Sequence, residues 1–165
     1  MATTIPSANM TVTVSESLTL GGYPQGTTNS FIISQVSEVS RRIVIVPITE
    51  IIIVTMGSAV AAGQFHRDNV KYIRITNKDD KNHVGLIFKN ENDDEFGVKL
   101  DAGKTFIYNG DISGGVVDTM DAQDGDADLA ANTFADLVNI TAIADTAPVD
   151  LEVFVASTST RPTVG

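Results

Sequence analysis

An antiparallel β-sandwich of jelly-roll type, all-β with about ten strands and little helix, is the fold this sequence predicts. Three observations carry that expectation. Apolar residues recur with period two in run after run, as they do in strands with one buried face. The composition is rich in Val, Ile and Thr, while aromatics make up 6% and Trp is absent, a balance that suits pleated sheets. Clusters of Gly, Asn, Asp and Pro interrupt the runs at short intervals, and no long stripe of period 3.6 occurs. The 165 residues suit one domain, able to bury about 70% of its unfolded surface.

Taken in order, residues 1–9 form an extended N-terminal arm in which Pro6 discourages helix. Met10–Leu20 alternates as a strand (Met10, Val12, Val14, then Leu18 and Leu20), and Gly21-Gly22 through Asn29 make a loop. Phe31–Val39 alternates again. After Arg41-Arg42 come two continuously apolar runs, Ile43–Val46 and Ile51–Val54, separated by Pro47 and Glu50. A strand apolar on both sides is expected to be buried on both faces. One face meets the core, and a loop, a lid or a neighbouring subunit covers the other. Pro47 belongs at an edge, a strand start or a bulge. Met56–Gly63 is a small-residue loop.

Val70–Tyr108 is the most regular stretch: VKYIRITN, HVGLIFKN, FGVKL and KTFIY, separated by KDDKN, ENDDE and DAG. It predicts an antiparallel meander. Residues 116–136 form an acidic insert, in which DADLAANTFADL has the Ala and Leu content for one or two helical turns. Leu137–Ala144 and Val149–Ala156, joined by Asp145–Pro148, predict a closing hairpin, and residues 157–165 an extended tail.

Charge is unevenly placed. The net charge is −10, and residues 105–160 hold ten acidic side chains without one Lys or Arg. Such a block repels phosphate and argues against direct nucleic-acid binding. Arg41-Arg42, the sole adjacent basic pair, is too small for a nucleic-acid patch. The opening MATTIPSANM lacks the basic start and apolar core of a signal peptide. Ile43–Gly63, the most apolar long stretch, is interrupted by Pro47 and Glu50 and does not make a membrane span. With no Cys, disulfide and thiolate chemistry are excluded.

The strongest candidate ligand set is Asp124, Asp126 and Asp128, following Asp118 and Asp121. Alternate carboxylates on a loop can wrap a hard cation such as Ca²⁺. Leu129 and Ala135 stand where an EF-hand needs Gly and Glu, so a solvated acidic loop is the simpler account. Glu91, Asp93, Asp94 and Glu95 sit in a turn and read as turn chemistry. His66 and His83 show no spacing that converges with a nucleophile or a metal set. No glycine-rich phosphate loop, GxSxG or HExxH motif occurs. Tyr72 and Tyr108 lie within strands and are expected to pack.

The segments YIRITN, KDDKN and DEFGVKLDAGKTFIY, the closing ITAIADTAPVDLEVFVAST and the opening MTVTVSESLTLGG resemble a module of virion structural proteins of tailed, especially marine, bacteriophages. The resemblance implies a non-enzymatic, multi-copy component, made in the host cytoplasm and carried in the virion, without cofactor. Its partners would be further copies of itself and other virion proteins such as the major capsid protein. A capsid decoration or cement protein is the role that size and acidity suit best. A tail, neck or fibre component is the alternative within that class, and a carbohydrate-binding β-sandwich the alternative outside it.

If the acidic loop is only solvated, Asp124→Asn, Asp126→Asn and Asp128→Asn together leave the melting temperature unchanged, with or without Ca²⁺. A Ca²⁺-dependent rise in the wild type that the triple variant loses establishes the cation site instead.

Overall fold

The computed structural model describes residues 6–59, 61–109, 118–120 and 134–158. Its strands are β1 (Ala8–Ser15), β2 (Thr19–Leu20), β3 (Tyr23–Pro24), β4 (Thr28–Val36), β5 (Glu38–Val46), β6 (Ile51–Gly57) and β7 (Phe65–His66). After a 3₁₀ turn at Arg67–Asn69 come β8 (Val70–Asn77), β9 (Val84–Asn90), β10 (Glu95–Leu100), β11 (Thr105–Asn109), β12 (Asp118–Met120), β13 (Phe134–Ala144) and β14 (Val149–Ser157). Ten of these are five residues or longer. The protein is all-β, and no described helix is long and apolar enough to cross a membrane.

Two sheets face each other. One has the order β11-β8-β14-β5, the other β10-β9-β13-β6-β7, with β12 added beside β13. Strands adjacent in sequence mostly alternate between sheets. β5 and β6, β6 and β8, β8 and β9, and β13 and β14 are separated in this way, whereas β9 and β10 pair directly. The expected meander over Val70–Tyr108 is therefore corrected. β8 pairs with β11, β9 with β10, and the KDDKN segment carries the chain from one sheet to the other. The expected closing hairpin is corrected too: β14 lies between β5 and β8, and β13 between β6 and β9. Period two fixes which residues of a strand face inward; it does not name the strand beside it.

One core fills the space between the sheets. Ile73, Ile75, Leu151, Val153 and Val155 enter it from one side, and Val54, Leu86, Phe88, Leu137 and Ile140 from the other. Phe88 is its largest side chain. Its ring stacks on Phe96, with centroids 4.6 Å apart, and lies at an angle to Phe106 and Tyr108. Tyr72 and Tyr108 are packed, as expected. Turns close with buried amides. Asn77 Nδ2 donates to the carbonyls of Asn82 and Leu100, and Asn77 Oδ1 accepts from the Asp79 amide. Asn90 Oδ1 receives the amides of Asn92 and Asp94 in the same manner.

Residues 8–36 leave the sandwich. β1 and β4 form a long hairpin that β2 and β3 continue to a Gly21-Gly22 tip. Both glycines take positive φ, 58° and 87°, as the tightest hairpin turns require. The expected sandwich strands Met10–Leu20 and Phe31–Val39 are thus mostly an arm, and the arm is far longer than residues 1–9.

The apolar runs Ile43–Val46 and Ile51–Val54 are not buried on both faces. Val44 and Val46 point inward, Ile43 and Ile45 outward; Ile53 and Val54 are buried, Ile52 is exposed. A two-layer sandwich has no third layer to cover the outer faces. Pro47 lies just after β5, at the corner where the chain changes sheets. Met56 and Gly57 extend β6 instead of starting a loop. Of the proposed helical turns, 134–137 is strand; residues 126–133, with the rest of the acidic insert except 118–120, and residues 159–165 of the tail lie outside the described residues.

Phe88→Ala removes the centre of the core, and equilibrium denaturant unfolding is expected to record a loss of about 3–5 kcal/mol. Ile52→Asp, on the outer face, is expected to change the stability of the isolated chain by only about 0.5 kcal/mol.

Candidate functional site

Asp124, Asp126 and Asp128 lie outside the described residues. Among the described residues no group of three or more His, Asp or Glu side chains is placed to hold a metal ion. His66 lies in β7, its Nδ1 3.8 Å from Asp68. His83 Nδ1 lies 2.9 Å from Asp145 Oδ2, and the Asp145 amide donates to the His83 carbonyl. The neighbouring hydroxyl, Thr146 Oγ1, is engaged by Asn82 Oδ1 and Asp145 Oδ1. This cluster ties two chain turns together.

His83 also stands at the rim of a shallow depression of about 490 Å³ on the outer face of the second sheet. Gly85, Gly97, Ile48 and Ile143 are among the residues that line it. Gly85 is closely packed, since a Cβ there would lie 3.3 Å from Ile143 Cγ2, which would have to shift slightly to admit it. The cation at its rim, Lys99, is held 3.0 Å from Asp101. The depression is apolar and open, without convergent polar groups of the kind that orient a small ligand.

The outer surface elsewhere is more informative. On the first sheet, pairing places Ile43, Glu152 and Thr76 in one row, Arg41, Phe154 and Arg74 in the next, and Val39, Ala156 and Tyr72 in a third. The base of the arm covers part of this face. Met10, Val12, Phe31, Ile33 and Val36 pack with Tyr72, Ala156, Phe154 and Ile107 in a second apolar cluster. Gln35 takes a left-handed φ of 60° where the arm bends into β5, and the Ser37 amide donates to the Ser157 carbonyl.

Beyond the Val12–Phe31 pair every residue from 13 to 30 is exposed. One face of this distal arm is a hydroxyl ladder, Thr13 with Ser30 at 2.9 Å and Ser15 with Thr28 at 3.0 Å. Val14, Leu18, Leu20 and Tyr23 add exposed apolar surface. On the sandwich, Ile43 and Ile45 at the β5 edge, Ile48 at the corner and Ile52 at the β6 edge are each more than half exposed. Single exposed apolar residues are ordinary; contiguous ones mark contact surfaces. Sequence reasoning found these isoleucines and missed that the described part of the chain leaves them exposed.

Between arm and isoleucines lies an ion triad. Glu152 Oε2 accepts from Arg41 at 2.7 Å and Oε1 from Arg74 at 2.5 Å. The Glu152 side chain is 7% exposed and that of Arg41 68%, so the acid is sunk beneath the guanidinium. The Arg74 guanidinium also lies over the Phe154 ring, 5.1 Å from its centroid, a favourable cation–π placement. Arg42 reaches across to donate to the Ile53 carbonyl and so clips the β5 edge to the β6 edge.

Hydrogen bonding from Arg41, with the charges of Arg41 and Arg74, outweighs burial and holds the Glu152 carboxyl below its ordinary value of 4.5. The unfolded chain therefore binds this proton at higher pH than the folded one. The stabilisation is complete above the ordinary glutamate range and is lost as pH falls through the lower folded value. Asp79 and Asp101 are lowered in the same direction, the first by backbone amides of Asn82 and Lys81 and the second by Lys99. Glu152→Gln is thus expected to flatten the acid side of a stability–pH curve without abolishing it. An unchanged acid slope excludes this role for the triad.

No protein-family model, no curated protein and no solved structure matches the chain.

Proposed function

We propose that this chain is a non-enzymatic structural protein of a tailed-phage virion, acting as a decoration or cement subunit that stabilises the head. The observation that carries the reading is the arm. The sandwich closes its core without residues 13–30, yet the chain extends them into solvent with Leu18, Leu20 and Tyr23 exposed. An isolated two-stranded ribbon is marginal in water and gains stability from a surface to lie on. An arm of this kind serves attachment better than catalysis.

Other features support it. We read the alternating strand order as that of a jelly roll, an architecture shared by viral capsid and lectin domains; this is fold-level analogy. The resemblance of the RITN, DAG and closing segments to phage virion modules points the same way. The acids of residues 105–160 make that part of the chain unsuited to packaged DNA and suited to solvent or a basic partner. A tail, neck or fibre position uses the same surfaces. Carbohydrate binding is favoured by one feature, the exposed ring of Tyr23.

Purified protein added to heads that lack it is expected to co-sediment with them at saturating stoichiometry and to raise their melting temperature. Loss of both effects, together with retention on a glycan array, overturns the proposal in favour of the carbohydrate reading.

A further inference from the structure

Among the described residues two apolar surfaces are uncovered, the distal arm and the isoleucine side of the sandwich. The base of the arm crosses the first sheet over Ala156 and Phe154 of β14, Tyr72 of β8 and Ile107 of β11. In that sheet β11 is the edge opposite β5. The base of the arm thus packs on β14, β8 and β11 and leaves Ile43 and Ile45 of β5 outside its cluster.

The isoleucine side also carries a long strand, β5, at the end of its sheet with no described strand beside it. β11 is five residues long, β10 carries Glu95 and Lys99, and β6 shifts register against β13 between Ile140 and Thr141. β5 runs nine residues without Pro and without a register shift against β14; its charges are confined to Glu38, Arg41 and Arg42, and the stretch from Ile43 to Val46 has none. Natural edges of this length are blocked by charge, Pro or a bulge, or they are used for pairing.

The charges are complementary. The described arm, residues 6–36, has one charged side chain, Glu16, beside the exposed Leu18. The middle of β5 presents the Arg41 guanidinium outward, its counter-ion Glu152 being buried beneath it, while the Arg42 guanidinium is turned to the Ile53 carbonyl. The acids Glu38 and Asp150 lie toward the ends of this edge, Glu38 opening β5 and Asp150 opposite Ile45. The eighteen exposed residues from 13 to 30 approach the roughly 20–30 residues a side of a standard protein interface.

We propose that the distal arm of one copy seats on the isoleucine side of a second copy. Leu18, Leu20 and Tyr23 cover Ile43, Ile45 and their neighbours, Glu16 lies toward Arg41, and arm backbone adds to the free edge of β5. Donor and acceptor surfaces differ, so the contact is head-to-tail and repeats from copy to copy, closing into a ring or extending over a shell. The inference rests on the reading of the chain as a multi-copy structural subunit and names how its copies join.

The absence of native cysteine makes the test clean. Leu20→Cys and Ile45→Cys chains are prepared separately and treated with a short thiol–thiol crosslinker, alone and mixed, at concentrations rising to those found on an assembled shell. Crosslinked dimer is expected in the mixture and in neither chain alone. In sedimentation, concentration-dependent association of the wild type is expected to be lost in Leu20→Ser with Tyr23→Ser and in Ile43→Ser with Ile45→Ser, with the melting temperature unchanged. Dimer from Ile45→Cys alone overturns the proposal in favour of edge-to-edge pairing of β5. Dimer from Leu20→Cys alone overturns it in favour of arm-to-arm contact. No crosslink in the mixture overturns it outright. A chain that binds heads yet fails this test keeps its proposed function and loses only the copy-to-copy contact.

Discussion

Eight strands share one dry interior, and every other feature follows from the need to fill it from two sides. Each long sandwich strand gives alternate side chains to the core, with Phe88 at its centre against Phe96, Phe106 and Tyr108. Burial of these apolar groups is the dominant favourable contribution to folding. It also settles what remains outside. Once Val44, Val46 and Val54 are committed inward, Ile43, Ile45 and Ile52 have only the outer faces. Covering them would take another layer of protein, and the described chain supplies one only over Tyr72, Phe154, Ala156 and Ile107, where the arm lies.

How much of this could be read from the sequence depends on how local each cause is. The alternation in VKYIRITN, HVGLIFKN and VDLEVFVA placed strands and inward faces closely, because the pleat is a property of neighbouring residues. The same alternation put Glu152 on the face away from Leu151 and Val153. Its partners, Arg41 and Arg74, lie 111 and 78 residues away, and no local pattern names them. Strand partners were lost for the same reason: KDDKN looks like a turn whether it closes a hairpin or crosses between sheets. Met10–Leu20 and Phe31–Val39 alternate like sandwich strands because a hairpin lying on a sheet also has a buried face. The roles of Asn77 and Asn90 were hidden because an amide that organises a turn and one that faces water have the same spelling.

Charge and shape divide the labour on the surface. The first sheet carries a compact set of compensated charges, with Glu152 shielded by two guanidinium groups and Arg42 clipping one sheet to the other through the Ile53 carbonyl. The second sheet has an apolar depression at whose rim His83 Nδ1 contacts Asp145 and Lys99 pairs with Asp101. Of the two outer faces, the first combines exposed apolar side chains, a backbone edge unpaired among the described residues and an outward cation.

The position of β13 and β14 also governs how the molecule comes together in time. These last two described strands are central: β14 separates β5 from β8, and β13 separates β6 from β9. Neither sheet can close across its middle until residues 134–157 are in place, although the strands they join were synthesised long before. Ordering must therefore wait for contacts of large sequence separation, which slows folding relative to locally connected folds. During synthesis the earlier strands stand with open edges, a state prone to off-pathway pairing. A chain halted before residue 134 would keep the pairs β8–β11 and β9–β10, with β5 and β6 cut off from both.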